Sequence, residues 1–150
     1  MWTASHGQIL TLDNLMLRGL PLANKWCMCC CNKESVDHLL LHCPVARSLW
    51  VQMLQVFGIQ WVMPGSVESL VFCWSNWLGK FSSDIWNMVP GYLMWVVWME
   101  RNRRSFEAKE KLLVQLQALY QSTLFDWARC RGSSNCSSTL EFLTSLSIAP

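Results

Sequence analysis

The chain has 150 residues, of which 52% are apolar and 15% are charged. This composition excludes an intrinsically disordered chain, because so many apolar side chains must be buried, and the length fits one globular domain. The twelve Lys and Arg exceed the ten Asp and Glu by only two charges, so any basic patch must be local. The ten Trp, eight Met and six Phe exceed what such a core needs, which predicts an exposed apolar surface for a partner.

The first ten residues lack the basic start, apolar core and cleavage site of a secretory signal. We therefore expect a location in the cytoplasm or nucleus, where cysteines stay reduced. The most apolar stretch, Ile85 to Met99, is interrupted by Asn87, Pro90 and Gly91. Because a membrane span needs about 20 continuous apolar residues, we expect no membrane partner.

Two helices are predicted in the first part of the chain. Thr11 is a suitable N-cap for a short helix that ends at Gly19. Pro44 suits the first turn of a second helix, whose apolar residues recur at three- and four-residue steps until Gly58.

The middle of the chain predicts two more helices. Ser66 begins a third helix that ends at Gly79. A fourth helical segment covers Ile85 to Phe106 and is broken or kinked at Pro90 and Gly91. It is apolar on nearly every side until Met99, which predicts a place at the centre of a bundle.

A last amphipathic helix is predicted from about Lys109 to Arg131. No segment alternates like a strand, so the predicted fold is mainly α. We divide the chain into a helical domain, residues 1–131, and a Ser-rich flexible tail, residues 132–150.

The segment WCMCCCNKESVDHLLLHC, residues 26–43, combines cysteine and histidine at metal-binding spacing. Cys27 and Cys30 form a C-x-x-C pair, and His38 and Cys43 lie five residues apart. Thiolate and imidazole are the ligands of tetrahedral zinc, so these four residues are the predicted zinc ligands, with His42 as a competing fourth. The predicted fold is then a small helical bundle with a zinc-clamped loop between its first two helices.

Three other interpretations of the cysteines stay open. Cysteine also packs as a small apolar residue in cores. A redox-active thiol pair is the second, although no strand is predicted before the pair. The third is a degenerate site that has lost its metal affinity.

The runs ILTLDNLMLRGLPLANKWCMCC, residues 9–30, and ESVDHLLLHCPVARSLW, residues 34–50, carry a family resemblance. They resemble the zinc-binding domain that follows the polymerase in plant non-long-terminal-repeat retrotransposon reverse transcriptases, and WMERNRRSFE and STLFDWARCRG extend the likeness. The family pattern, approximately C-x2-C-x4-E-x3-H-x4-C, falls on Cys29, Glu34, His38 and Cys43. Its first cysteine falls on Trp26. Cys29 is therefore an alternative ligand to the neighbouring pair.

The resemblance implies a free-standing zinc-binding fragment and not an enzyme. Polymerase and ribonuclease H chemistry needs clustered carboxylates, and the ten acidic residues are scattered along the sequence. No Gly-rich phosphate loop or hydrolase motif is present either.

Two kinds of partner are predicted. Seven of the twelve basic residues lie between positions 101 and 131, so Arg101, Arg103 and Arg104 are candidate contacts for RNA or single-stranded DNA. The alternative is a protein-interaction domain that uses exposed tryptophans such as Trp95 and Trp98. A decayed mobile-element fragment without a selected function is the remaining alternative.

Overall fold

The computed structural model describes residues 6–21, 28–29, 34–74 and 83–147. These ranges hold six α-helices, one π-helical turn and no β-strand, so the mainly α prediction is confirmed. None of these helices is both long and apolar enough to cross a membrane. The elements in chain order are α1 Leu12–Leu17, the π-helical turn His38–His42, α2 Pro44–Val56, α3 Val67–Cys73, α4 Ser83–Glu107, α5 Leu113–Cys130 and α6 Thr139–Ser147.

The first two helices begin and end where the sequence predicts. Thr11 is the N-cap of α1 in an extended conformation, and Gly19, just after the helix, adopts a φ of 84°. Pro44 lies in the first turn of α2, and Gly58 follows its end with a φ of 66°. A positive φ is costly for residues with a Cβ, which explains why glycine ends both helices.

Helix α3 ends six residues before the predicted stop. Ser66 caps it as predicted, with its hydroxyl accepting a hydrogen bond from the Ser69 N–H. The helix stops at Cys73, and Gly79 lies outside the described residues. Trp74 leaves the helical conformation, and its buried ring stacks on Trp86 with the centroids 4.3 Å apart.

Helix α4 is continuous through Pro90 and Gly91, so a break there is wrong. Proline has no N–H, and an interior proline leaves the carbonyl four residues earlier without its helical donor. That carbonyl belongs to Trp86, and it accepts a hydrogen bond of 3.0 Å from Trp74 Nε1. A tertiary donor therefore satisfies the carbonyl that Pro90 releases.

The core is built around α4, as predicted. This helix packs against α2, α5 and the π-helical turn, and α5 and α2 both contact α6. Two residues of α4, Trp95 and Met99, nevertheless keep about half of their surface exposed. Helix α4 is apolar on nearly every side, but only part of that apolar surface is buried within the chain.

The predicted Ser-rich tail, residues 132–150, contains helix α6. Glu141 accepts hydrogen bonds from the Ser137 N–H and hydroxyl, and Ser138 accepts one from the Glu141 N–H. These bonds cap the start of α6. Phe142 is buried and lies 5.5 Å from the Phe125 ring of α5. Ser137 and Ser138 of the predicted tail therefore cap the start of a helix that packs on α5.

Candidate metal centre and its buried ion pair

Three of the predicted or alternative ligands meet in one cluster. The ligand atoms of Cys29, His38 and Cys43 all lie within 4.8 Å of one another. Cys29 Sγ is 3.3 Å from His38 Nε2. Cys43 is fully buried, whereas Cys29 and His38 are partly exposed. The alternative ligand Cys29 therefore lies in one cluster with His38 and Cys43.

The π-helical turn explains how His38 and Cys43 converge. The Cys43 N–H donates to the His38 carbonyl over 2.6 Å, which closes a turn one residue wider than an α-helical one. In an α-helix, side chains five residues apart point to different sides, because a turn has 3.6 residues. The wider π-helical turn brings the side chains of His38 and Cys43, which are five residues apart, to the same side of the chain.

Cys43 is also the N-cap of α2. The first N–H groups of a helix and the positive end of its dipole favour a negative charge at this position. A metal-bound cysteine is a thiolate, so α2 supplies an environment suited to the charged form of the ligand.

The cluster fits zinc in both chemistry and size. Zinc binds sulfur at about 2.3 Å and nitrogen at about 2.0 to 2.1 Å, so tetrahedral ligand atoms lie roughly 3.5 to 3.8 Å apart. The 3.3 Å between Cys29 Sγ and His38 Nε2 and the upper limit of 4.8 Å across the cluster lie on either side of this range. Burial, followed by the nearby charge of His42, lowers the pKa of His38. A lowered pKa favours the neutral imidazole, which is the form that binds a metal.

The remaining predicted ligands have different positions. Cys27, Cys30 and Trp26 lie outside the described residues. His42 is exposed and outside the cluster, and its Nε2 donates a hydrogen bond of 3.0 Å to the Gly65 carbonyl. The described part of the chain thus supplies three candidate ligands.

A buried ion pair holds Glu34, which lies between the cysteines and His38 in the sequence. One oxygen of Glu34, Oε1, accepts from Arg101 Nη2 at 2.9 Å and from Arg101 Nε at 3.1 Å. The same oxygen accepts from the Leu12 N–H at 3.1 Å. Glu34 is 1% exposed and Arg101 is 4% exposed. One carboxylate therefore joins α1 and α4 to the stretch that carries Cys29 and His38, which we call the ligand-bearing segment (residues 28–29 and 34–42).

Desolvation dominates the electrostatics of this pair. Burial raises the pKa of the Glu34 carboxyl, and the Arg101 charge and hydrogen bonds oppose that rise. The guanidinium also lies over the rings of Trp98 and Phe106, at 5.2 and 5.9 Å from their centroids. Breaking such a buried pair leaves one charge without compensation, which is strongly destabilising.

A second arginine of α4, Arg104, holds the residue that precedes Cys29. Arg104 Nη1 donates to the Met28 carbonyl at 3.2 Å, and its Nε donates to Glu100 at 2.9 Å. The Glu100 carboxylate, itself buried, also accepts from the Lys111 N–H at 2.8 Å. Two arginines one turn apart thus anchor Met28 and Glu34, which lie on either side of the candidate ligand Cys29 in the sequence.

These contacts correct the predicted basic edge. Arg101 is buried and ion-paired, and the Arg104 side chain is only 9% exposed and contacts Glu100 and Glu110. Of the three predicted nucleic-acid contacts, Arg103 keeps the most exposed side chain, and it lies 3.8 Å from Glu100. The sequence shows which residues are charged. The packing of α4 against the ligand-bearing segment determines which of these charged side chains are exposed to solvent.

The structural role of Glu34 was not predicted from the sequence. The resemblance placed a glutamate at this position without assigning it a partner. A signal was available, because two carboxylates, Glu34 and Asp37, precede the apolar run of residues 39–41, and a carboxylate needs compensation if it is buried. Asp37 was missed as well; it accepts from the Val67 N–H at 2.8 Å and so fixes the start of α3.

Comparison with known proteins agrees with this geometry. Residues 1–50 match the model of the family described as zinc-binding in reverse transcriptase. No curated protein and no solved structure matches the chain. The matched third of the chain contains all three clustered residues, so this part is similar to a reverse-transcriptase zinc-binding domain in both sequence and candidate ligands.

Proposed function

We propose that the chain is a non-catalytic zinc-binding module whose ion has a structural role. The observation that carries this proposal is the meeting of Cys29, His38 and Cys43 within 4.8 Å, inside the region that matches the zinc-binding family. When bound, zinc supplies a cross-link between the ligand-bearing segment and the start of α2. Cys27 or Cys30 completes the ligand set.

The burial of Cys43 supports a structural ion. Structural zinc sites are closed by four protein ligands, whereas catalytic sites keep one position open to water. Cys43 is fully buried, and the adjacent carboxylate, Glu34, is committed to Arg101 and the Leu12 N–H. Glu34 is thus held as a structural acceptor and not as a general base.

The origin and location follow from the same assignment. We infer that the module derives from the reverse transcriptase of a plant retrotransposon, on the strength of the family match and the longer resemblance. We place it in the cytoplasm or nucleus, where reduced thiols are available to a metal.

Cobalt substitution tests the ligand set. Co²⁺ bound at this site is expected to give strong visible absorption from tetrahedral geometry and a near-ultraviolet band from thiolate ligands. Cys29→Ser is expected to weaken the thiolate band, because one sulfur is removed. The matched control is Cys73→Ser, at an exposed cysteine outside the cluster, which should keep the full spectrum. A weak octahedral spectrum, or no difference between the two variants, contradicts the assignment.

A second proposed function is binding of single-stranded RNA or DNA by the cations that remain exposed. Arg129 and Arg131 are exposed at the end of α5, and the Arg129 guanidinium lies 5.5 Å from the centre of the Phe125 ring. Cations next to an aromatic ring can contact a phosphate and a base together.

Salt dependence tests this second function. Binding of a fluorescent single-stranded RNA should weaken with salt, and the double variant Arg129→Ala, Arg131→Ala should lower the salt slope by about 1 to 2. Arg18→Ala with Arg47→Ala removes two exposed arginines, one just after α1 and one in α2, and serves as the matched control. An RNA affinity that does not change with salt concentration, or an equal loss of affinity in both double variants, contradicts nucleic-acid binding by Arg129 and Arg131.

A further inference from the structure

The peptide group between Met28 and Cys29 is held by a side chain of α4. Met28 is buried, and its carbonyl accepts a hydrogen bond of 3.2 Å from Arg104 Nη1. The same planar peptide group contains the Cys29 nitrogen, so the direction of this carbonyl also fixes the direction of the Cys29 N–Cα bond. The thiol sulfur follows that Cα through the Cβ. Arg104 therefore restricts where Cys29 Sγ can lie, although 76 residues separate it from Met28.

The Arg104 guanidinium is itself held in one orientation. Its Nε donates to the buried Glu100 carboxylate at 2.9 Å. Its Nη2 lies 3.1 Å from Glu110 Oε1 and donates to the Lys111 carbonyl at 3.4 Å. Because the guanidinium is planar and rigid, the contacts at Nε and Nη2 determine the direction in which Nη1 donates. The donor to Met28 is therefore oriented by residues of α4 and of the turn that follows it.

The three candidate ligands are held in different ways. His38 and Cys43 are joined by the π-helical turn, whose closing hydrogen bond of 2.6 Å runs between their own backbone groups. Cys29 precedes His38 by nine residues and lies in none of the helices of the described residues. The π-helical turn therefore fixes two ligands relative to each other but does not extend to the third. The position of Cys29 Sγ depends on contacts made elsewhere, and the bond from Arg104 to Met28 is such a contact.

We propose that Arg104 is a positioning residue of the zinc centre, which raises the affinity for zinc by holding Cys29 next to His38 and Cys43. Groups that orient metal ligands without touching the metal typically contribute about 10- to 100-fold in metal affinity. The inference rests on the proposed zinc-binding function and extends it, because Arg104 lies outside the matched residues 1–50. The metal centre of this chain then includes α4 and the turn after it, as well as the ligand-bearing segment.

The shape of the Arg104 side chain, and not its charge alone, supports this role. The planar guanidinium spreads the two nitrogens that donate to Glu100 and to the Met28 carbonyl. Lysine ends in a single nitrogen, so it keeps a positive charge beside Glu100 but cannot donate in both of these directions. Arg103 offers a matched comparison, because it is the adjacent residue and its Nε also lies 3.8 Å from the Glu100 carboxylate. The same change to lysine at both positions therefore separates the contact with Met28 from the charge beside Glu100.

The zinc affinity of the full chain, measured by competition with a chromophoric chelator, tests the proposal. Arg104→Lys is expected to raise the zinc dissociation constant roughly tenfold or more, whereas Arg103→Lys should leave it unchanged. At saturating Co²⁺, Arg104→Lys is also expected to shift the visible bands and weaken the thiolate band, because a displaced Cys29 distorts the tetrahedral geometry. Circular dichroism at saturating zinc establishes that each variant is folded.

A destabilised control separates positioning from a general loss of stability. Phe142→Leu weakens the packing of α6 on Phe125 and leaves Arg104 and its contacts in place. It should keep the cobalt spectrum of the unmodified chain at saturation, even if its apparent zinc affinity falls. If Arg104→Lys does not fold with zinc, Glu100→Gln replaces it and is read by the same two measurements. That variant keeps Arg104 but weakens the acceptor that orients it, so the zinc dissociation constant should rise and the cobalt bands should shift.

Two results overturn the positioning role. The first is an equal zinc dissociation constant in Arg104→Lys and Arg103→Lys. The second is a raised constant in Arg104→Lys together with the cobalt spectrum of the unmodified chain, because Arg104 then stabilises the fold without orienting Cys29. A different result refutes the proposed function itself: if the unmodified chain binds neither zinc nor cobalt, there is no metal centre for Arg104 to position.

Discussion

Cys43→Ser is expected to abolish zinc binding and to remove most of the folding stability of the chain. Structural zinc contributes on the order of 10 kcal/mol to the folding of small zinc-finger peptides. Whole domains have unfolding free energies of about 5 to 15 kcal/mol. Loss of the zinc contribution would therefore leave the variant with little folding stability. Denaturant unfolding in the presence of zinc measures the effect.

A chelator separates the metal contribution from the packing contribution of Cys43. Serine is close to cysteine in size, so with chelator present the variant and the unmodified chain should have nearly the same unfolding free energy. Cys130→Ser, at an exposed cysteine of α5, provides the matched control and should keep zinc-dependent stability. If Cys43→Ser remains as stable as Cys130→Ser with zinc present, the structural role of the ion is refuted.

Glu34→Gln is expected to lower the unfolding free energy by about 3 to 5 kcal/mol. Glutamine retains an oxygen that can accept from the Leu12 N–H, so the loss comes mainly from the uncompensated charge of buried Arg101. Denaturant unfolding of the zinc-loaded protein measures this change. Glu68→Gln neutralises an exposed glutamate of α3 and is expected to change stability by less than about 0.5 kcal/mol.

A double variant shows whether the charge itself is the cause. Adding Arg101→Met to Glu34→Gln removes the uncompensated cation and should recover part of the lost stability, because apolar replacement of a buried pair is often tolerated. If the double variant loses as much unfolding free energy as the two single variants together, the two side chains act independently. That result would contradict the ion pair as the link between α4 and the ligand-bearing segment.

The start of α1 and both ends of α2 were predictable because their causes lie in neighbouring residues. Thr11, Pro44 and the glycines at positions 19 and 58 act within one turn of the helix they cap or end. The x4 spacing of His38 and Cys43 is likewise local, and a π-helical turn realises it. Prediction succeeded where the physical cause is contained in a short stretch of sequence.

The errors concern partners that are far apart in the sequence. Arg101 and Glu34 are 67 residues apart, and nothing near Arg101 in the sequence reveals that it is buried. Helix α4 continues through Pro90 because Trp74 donates to the released carbonyl, which residues 86–90 alone do not predict. The packing of Phe142 on Phe125 likewise gives α6 its place in the fold. Tertiary contacts thus determined the structure where the local sequence pattern was ambiguous.

Native mass spectrometry of the full chain tests the zinc assignment most directly. We expect one zinc ion per chain in the untreated protein, loss of that mass with chelator, and a lower melting temperature of the metal-free form. A chain that carries no zinc, even after incubation with excess Zn²⁺, and whose melting does not change with chelator would contradict the account.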